Sequence, residues 1–224
     1  MSELAEKREP KYGRLLGDTF MVSYLVLFGY ASITIIEAIR TPHPYVRHIM
    51  NIETAVSMVA GLVYGMFMEH YKRPNFSIKD VMPLRYLDWS ITTPLILLTV
   101  ILFYNHTRGT ADWKFFACIV ALDWAMLYAG YLGETRHIDK WLGFGISCAF
   151  FIAMLWLLWT MSYNHGESMV VFWAITIIWS FYAIAYLLEE EEKNIAYNIL
   201  DIFSKAIFGV ILWMYFVKAL SFKN

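Results

Sequence analysis

Only two cysteines occur in the 224 residues, Cys118 and Cys148. That excludes a disulfide scaffold and a cysteine-built metal site, and both sit inside apolar runs where a thiol packs as a small hydrophobe. Charge is equally scarce. Asp, Glu, Lys and Arg make up 17% of the chain, and the net charge is −1. No basic block is present of the kind that binds nucleic acid. The first residues, MSELAEKREPKYGRLLGD, are charged and lack the apolar core of a signal peptide. There is no internal repeat, no linker-like stretch, and no low-complexity tract beyond Glu189–Glu192. Nucleic-acid binding, metal chemistry and a secreted disulfide fold are therefore set aside.

What the chain does have is apolar length. It is 59% hydrophobic and 18% aromatic, with a mean hydropathy of +0.49, far too apolar for an ordinary soluble domain. Apolar stretches recur near 18–40, 49–71, 82–104, 114–133, 141–163, 168–188 and 196–217. Each is long enough for a helix to cross about 30 Å of hydrocarbon. The expected fold is an all-α integral membrane protein, a seven-transmembrane-helix bundle forming one domain over residues 1–224. Seven spans put the termini on opposite sides. Arg40, Arg47, Arg108, Lys114, Lys218 and Lys223 gather at one end. Lys72, Arg73, Lys79, Arg136, Lys140 and Lys193 gather at the other, with the basic amino-terminal residues and Glu189–Glu192. Charge alone leaves the orientation open.

Lys205 lies midway along Asn194–Val217, NIAYNILDIFSKAIFGVILWMYFV. A charged amine costs a few kcal/mol or more at the bilayer centre. Asp201 is four residues earlier, so helical spacing puts carboxylate and amine on one face. A desolvated lysine can condense with an aldehyde to form a Schiff base; the alternatives are a snorkelling lysine and a purely structural ion pair. In the third run Arg85, Asp88 and Thr92 follow at spacings of three and four and share a second polar face. If Asp88 and Asp201 both face Lys205, a charged nitrogen there has two counterions, and Arg85 offsets the surplus negative charge. Pro94 breaks a backbone hydrogen bond that neighbours can restore. His70, ending GLVYGMFMEHY, reads as interfacial or as a tuner of a nearby carboxylate. Asp123 lacks an obvious cation and is expected to be protonated and hydrogen-bonded to a hydroxyl on the third span. Trp89 and the stripe Trp179–Tyr182–Tyr186 pack a core or wall a slot for a long conjugated ligand. Glu37, Glu53 and Glu69, on the first two spans, fall near span ends.

These residues carry a resemblance. RYLDWSITTPL resembles the third-helix signature of the microbial (type 1) rhodopsins, and YNILDIFSKAIFGVILW their seventh helix, whose lysine carries retinal. GLVYGMFMEHY, MLYAGYLGE and WSFYAIAY are similar to the second, fourth and sixth helices of the proteorhodopsin-like branch. The resemblance implies all-trans retinal on Lys205, with Asp88 as counterion and proton acceptor and Asp201 as second counterion. It implies Arg85 as the outward gate and His70 as partner of the acceptor. Trp89, Thr92, Thr93, Met126 and Gly130 match pocket positions, as do Trp179, Tyr182 and Tyr186. Thr93 and Asp123 match a pair linking the third and fourth helices, and Ile96 sits at a colour-tuning position, its apolar character resembling the green-absorbing forms. Family topology puts the amino terminus outside and the carboxyl terminus in the cytoplasm.

Three departures stand out. The cytoplasmic donor position, eleven residues after Asp88, is Thr99, which does not ionise usefully. The usual sixth-helix proline is Ala183, which changes how that helix bends. Phe144 replaces the glycine of antenna-binding relatives, arguing against a carotenoid antenna. The expectation is a non-enzymatic retinal photoreceptor in the plasma membrane, a light-driven outward proton pump without a carboxylate donor. Its partners would be protons, the lipid bilayer and further copies in a trimer or pentamer. The alternatives are a slow-photocycle sensory rhodopsin with a transducer partner and a light-gated channel lined by Glu37, Glu53 and Glu69. The Asn–Asp–Gln pattern of sodium pumps is absent.

Overall fold

The computed structural model describes residues 13–108, 113–163 and 166–216, without the side chains of Thr107 and Arg108. The amino-terminal residues 1–12, Lys218 and Lys223, weighed above for orientation, lie outside the described residues, as does the Arg108 side chain. A bilayer offers the backbone no water, so a chain this apolar must satisfy its peptide groups internally. It does so as helices α1 Arg14–Arg40, α2 Pro44–Tyr71, α3 Met82–Arg108, α4 Trp113–Glu134, α5 Lys140–Ser162, α6 Gly166–Ala185 and α7 Glu190–Asp201. A π-helical segment, Ile202–Ile207, carries α7 into α8, Phe208–Phe216. The last three pieces form one continuous span, Glu190–Phe216, so the bundle crosses the membrane seven times. Large apolar side chains such as Ile39, Ile152 and Trp156 are exposed around its perimeter. That surface suits lipid and not water.

Short-range chemistry sets the connections. Pro44 occupies the first turn of α2, where its missing N–H costs nothing. Ser77 and Asp80 close a capping box on the 3₁₀ turn Ile78–Asp80 that leads into α3. Asp139 accepts from the Trp141 and Leu142 amides at 2.9 and 3.0 Å and starts α5. Within α3, Pro94 cannot bond the Ser90 carbonyl; the Trp124 indole N–H of α4 donates to it instead, at 2.9 Å.

Two helix bounds change the reading of the sequence. α2 starts at Pro44, not near 49, so Glu53 lies more than two turns inside the helix and is buried. The expectation that Glu53 sits near a span end is corrected: hydropathy misses the polar first turns of α2, which Pro44 initiates. The seventh span likewise begins at Glu190 and not near 196. Its polar start is accommodated because Lys193, buried, pairs with Glu134 of α4 at 2.6 Å and with Glu190 at 3.1 Å. α6 runs through Ala183 without a break and ends at Ala185.

α4 and α5 touch through glycine. A Cβ on Gly143 would stand 2.8 Å from the Gly133 Cα and 2.9 Å from the Ala129 carbonyl oxygen, both backbone atoms that cannot yield. Gly143→Ala is expected to force these helices apart and cost about 1–3 kcal/mol, read as a lower thermal midpoint for the folded protein in detergent.

Candidate functional site

The π-helical segment places Lys205 inside the bundle, 1% exposed. Such a bulge is frequent at functional sites because it re-aims a side chain. The Lys205 Nζ lies 2.5 Å from Asp88 Oδ2 and 3.4 Å from Asp201 Oδ2. The two carboxylates are held differently. Asp201 accepts from the Tyr64 hydroxyl at 2.9 Å, the Tyr182 hydroxyl at 2.7 Å and the Trp89 indole at 3.2 Å. Arg85 stands 3.8 Å from it. Asp88 has the lysine on one oxygen, and among the described residues its Oδ1 has no hydrogen-bond partner. Three donors and a guanidinium surround Asp201, whereas among the described residues Asp88 has only Lys205 on its carboxylate.

Arg85 donates to the Asn198 side-chain oxygen at 2.7 Å and to the Tyr64 hydroxyl at 3.3 Å, with its guanidinium 4.9 Å from the centre of the Phe67 ring. Two cations and two anions thus lie together in the buried interior, and their charges cancel. Asn198 passes the network on to the Thr19 hydroxyl of α1 at 2.8 Å.

From Lys205 a slot runs between the helices. Trp89, Thr93 and Ile96 line it from α3, Met126 and Gly130 from α4, Trp179 and Tyr182 from α6, and Tyr186 from just past its end. Ala183 and Phe144 also face it, Phe144 stacking on Tyr186 with ring centres 5.5 Å apart. The Thr93 hydroxyl donates to Asp123 at 2.6 Å, joining α3 to α4 beside the slot.

The sequence matches the family model "Bacteriorhodopsin-like protein" over residues 16–219. The chain belongs to the microbial rhodopsins. It is 29% identical over 184 residues to the green-light absorbing proteorhodopsin of Gamma-proteobacterium EBAC31A08, covering 71% of this chain and 73% of the relative. It is 25% identical over 191 residues to the opsin-like protein carO of Fusarium fujikuroi, covering 72% of this chain but only 61% of that longer protein. Among solved structures, the viral rhodopsin OLPVRII superposes with a TM-score of 0.86 at 32% identity, covering 92% of this chain and all of the other.

Retinal, held covalently as a lysine Schiff base, is the cofactor of this rhodopsin. The residues fit it. An amine stands at one end of a slot whose wall is aromatic, and two carboxylates are in place for a charged nitrogen.

Some expected residues are not brought to the site in this way. The Thr92 hydroxyl donates to the backbone carbonyl of Asp88 at 2.9 Å, not to its carboxylate. His70, in the last turn of α2, makes no hydrogen bond or ion pair with Asp88 among the described residues. Thr99 is fully buried on α3, away from the lysine quartet and toward the Arg108 end. Glu37 is half-buried and Glu69 is exposed, paired with Arg73 at 3.2 Å. Glu53 parts company with both, buried at 1% exposure.

The sequence offers Glu53 only as a residue that could line a channel, and it does not single out Tyr64 or Asn198. Asn198 had a signal, since it lies three residues before Asp201 and extends the polar stripe. Tyr64 had none, because a tyrosine in an apolar run is ordinary packing. Glu53 carries two carboxyl oxygens without a well-formed hydrogen bond, and they face the hydroxyls of Thr99 and Tyr30.

Lys205→Ala is expected to leave a folded protein with no visible absorption band after incubation with all-trans retinal. A band surviving the substitution would put the linkage on another lysine.

Proposed function

We propose that this rhodopsin is a light-driven outward proton pump in which Lys205 carries retinal, Asp88 accepts the proton and Glu53 replaces the missing donor. The observation that carries the reading is the asymmetry of the carboxylates around Lys205: Asp201 is saturated with donors and Asp88 is not. Bound retinal supplies a light-driven isomerisation that turns the Lys205 nitrogen relative to these groups.

Asp88 takes a proton from that nitrogen, and Asp201, held by three donors, stays charged. With Asp88 neutral, the field holding Arg85 inward weakens, and the guanidinium shifts along its existing bond to Asn198. Thr19, bonded to Asn198, extends this route along α1. At the end of α1 the Gly13 amide donates to Glu191 at 2.7 Å, so the acidic run Glu189–Glu192 stands at the mouth of this route and stages release. His70 borders this half of the protein without a direct bond to the acceptor.

Return of a proton needs an acid on the other side of Lys205. Thr99 cannot supply one. Glu53 faces Thr99 from α2, and it also abuts Gly209, four residues beyond Lys205. It therefore lies about one helical turn past the lysine, on the side away from Arg85. Among the described residues no cation forms an ion pair with it. Burying a lone charge is costly, so the neutral acid is the form this position carries most cheaply. The apolar Ile96 beside the slot supports green absorption, in keeping with the named proteorhodopsin relative.

Illuminated cells expressing the protein with retinal are expected to acidify their medium, with the change abolished by a protonophore and by Asp88→Asn. A pigmented sample without any pH change would instead favour a sensor or a channel. Glu53→Gln is expected to slow recovery of the dark absorbance after a flash by about tenfold or more, the typical contribution of a positioned acid being at least that large. Azide, a small diffusible proton carrier, is expected to restore the rate.

A further inference from the structure

Gly209 is the point where the seventh span comes closest to the Glu53 side chain. A Cβ built there would overlap both the Tyr30 hydroxyl and the Glu53 carboxyl. No backbone atom is among its nearest neighbours; the atoms it would meet all belong to the ends of those two side chains. Tyr30 comes from α1, Glu53 from α2, Thr99 from α3 and Gly209 from α8. Four elements thus meet around one carboxyl group. Tyr30 is 5% exposed, and among the described residues neither its hydroxyl nor the Glu53 carboxyl beside it makes a well-formed hydrogen bond. Tyr30 and Thr99 are the hydroxyls that the carboxyl faces. A neutral carboxyl group has one O–H to give and lone pairs to receive, so it can donate to one hydroxyl while accepting from the other.

We propose that Tyr30 and Gly209 are positioning residues that seat Glu53 over Lys205, Gly209 by leaving the space the carboxyl occupies and Tyr30 by hydrogen-bonding it there. This rests on Glu53 being the acid that returns the proton. The seat performs for a second-helix acid what a carboxylate at position 99 would do unaided from α3. A carboxyl at position 99 would be aimed by its own helix, whereas one at position 53 reaches across from α2 and has to be held. Without the seat the acid remains in the protein, but its distance to the lysine nitrogen is no longer fixed.

The test uses the full chain with retinal and compares Tyr30→Phe, Gly209→Ala and Glu53→Gln. Tyr30→Phe keeps the ring, and Gly209→Ala displaces only side-chain ends, so both are expected to fold and to keep the dark absorption maximum. Each is expected to slow recovery after a flash by about three- to tenfold, the effect of one lost buried hydrogen bond. The recovery rate is expected to be independent of bulk pH in the native protein. In both variants it should become proportional to the bulk proton concentration, falling as the pH rises. A readout independent of the photocycle is the infrared carbonyl stretch of Glu53, identified by its loss in Glu53→Gln and measured with and without retinal. Tyr30→Phe and Gly209→Ala are expected to shift that band. If Glu53→Gln slows recovery while the two seat variants leave both rate and band unchanged, the seat is overturned and the donor reading stands. If Glu53→Gln leaves recovery unchanged, the donor reading falls and takes the seat with it.

Discussion

A lysine buried in hydrocarbon is tolerable only where its charge is balanced, and the architecture follows from balancing this one. Asp88 and Asp201 answer Lys205, and Arg85 answers the second carboxylate. Each ion alone costs several kcal/mol to desolvate, and only the quartet as a whole approaches neutrality. That requirement fixes the register of α3 against the seventh span. It also recruits Tyr64, Tyr182 and Trp89, because an Asp201 short of donors would be too costly to keep charged. The same arrangement leaves the two carboxylates unequal. Asp201 accepts from three donors, and among the described residues one Asp88 oxygen has none.

The two halves of the bundle on either side of Lys205 are built from different chemistry. Toward the α7 start, a connected polar route leads from Asp201 through Arg85 and Asn198 to Thr19. On the other side the interior is apolar, formed by residues such as Ile101, Phe103 and Leu212, with Glu53 inside it. The outer end of the slot is closed separately. Lys193 reaches both Glu134 and the face of Tyr186, 5.9 Å from its ring centre, so one buried lysine ties α4 and α7 to the residue that follows α6.

Much of this was legible in the residues themselves. Lys205 with Asp201, and Arg85 with Asp88, were visible because a helix repeats every 3.6 residues and charges are rare in apolar runs. The aromatic stripe Trp179–Tyr182–Tyr186 does line the slot, and Thr93 does meet Asp123. Other features were hidden. Glu53 looked peripheral because hydropathy recognises apolar stretches and not helix starts, and α2 begins at Pro44. Lys193 looked like a loop charge because its partner, Glu134, lies 59 residues away. The Trp124 indole repairing the gap at Pro94 is likewise a contact between two helices.

The sequence by itself determined the membrane character, the seven apolar spans and the charged residues at the centre, since composition and short-range periodicity encode these, and its helix motifs carried the family resemblance. Only the tertiary structure decided which carboxylate is saturated and which is free, and which of three glutamates on the first two spans is buried. It alone turned Gly209 from an ordinary helical glycine into the floor beneath Glu53. Those outcomes depend on side chains from separate helices converging on one point, and the spacing of residues along a single helix carries no record of that convergence.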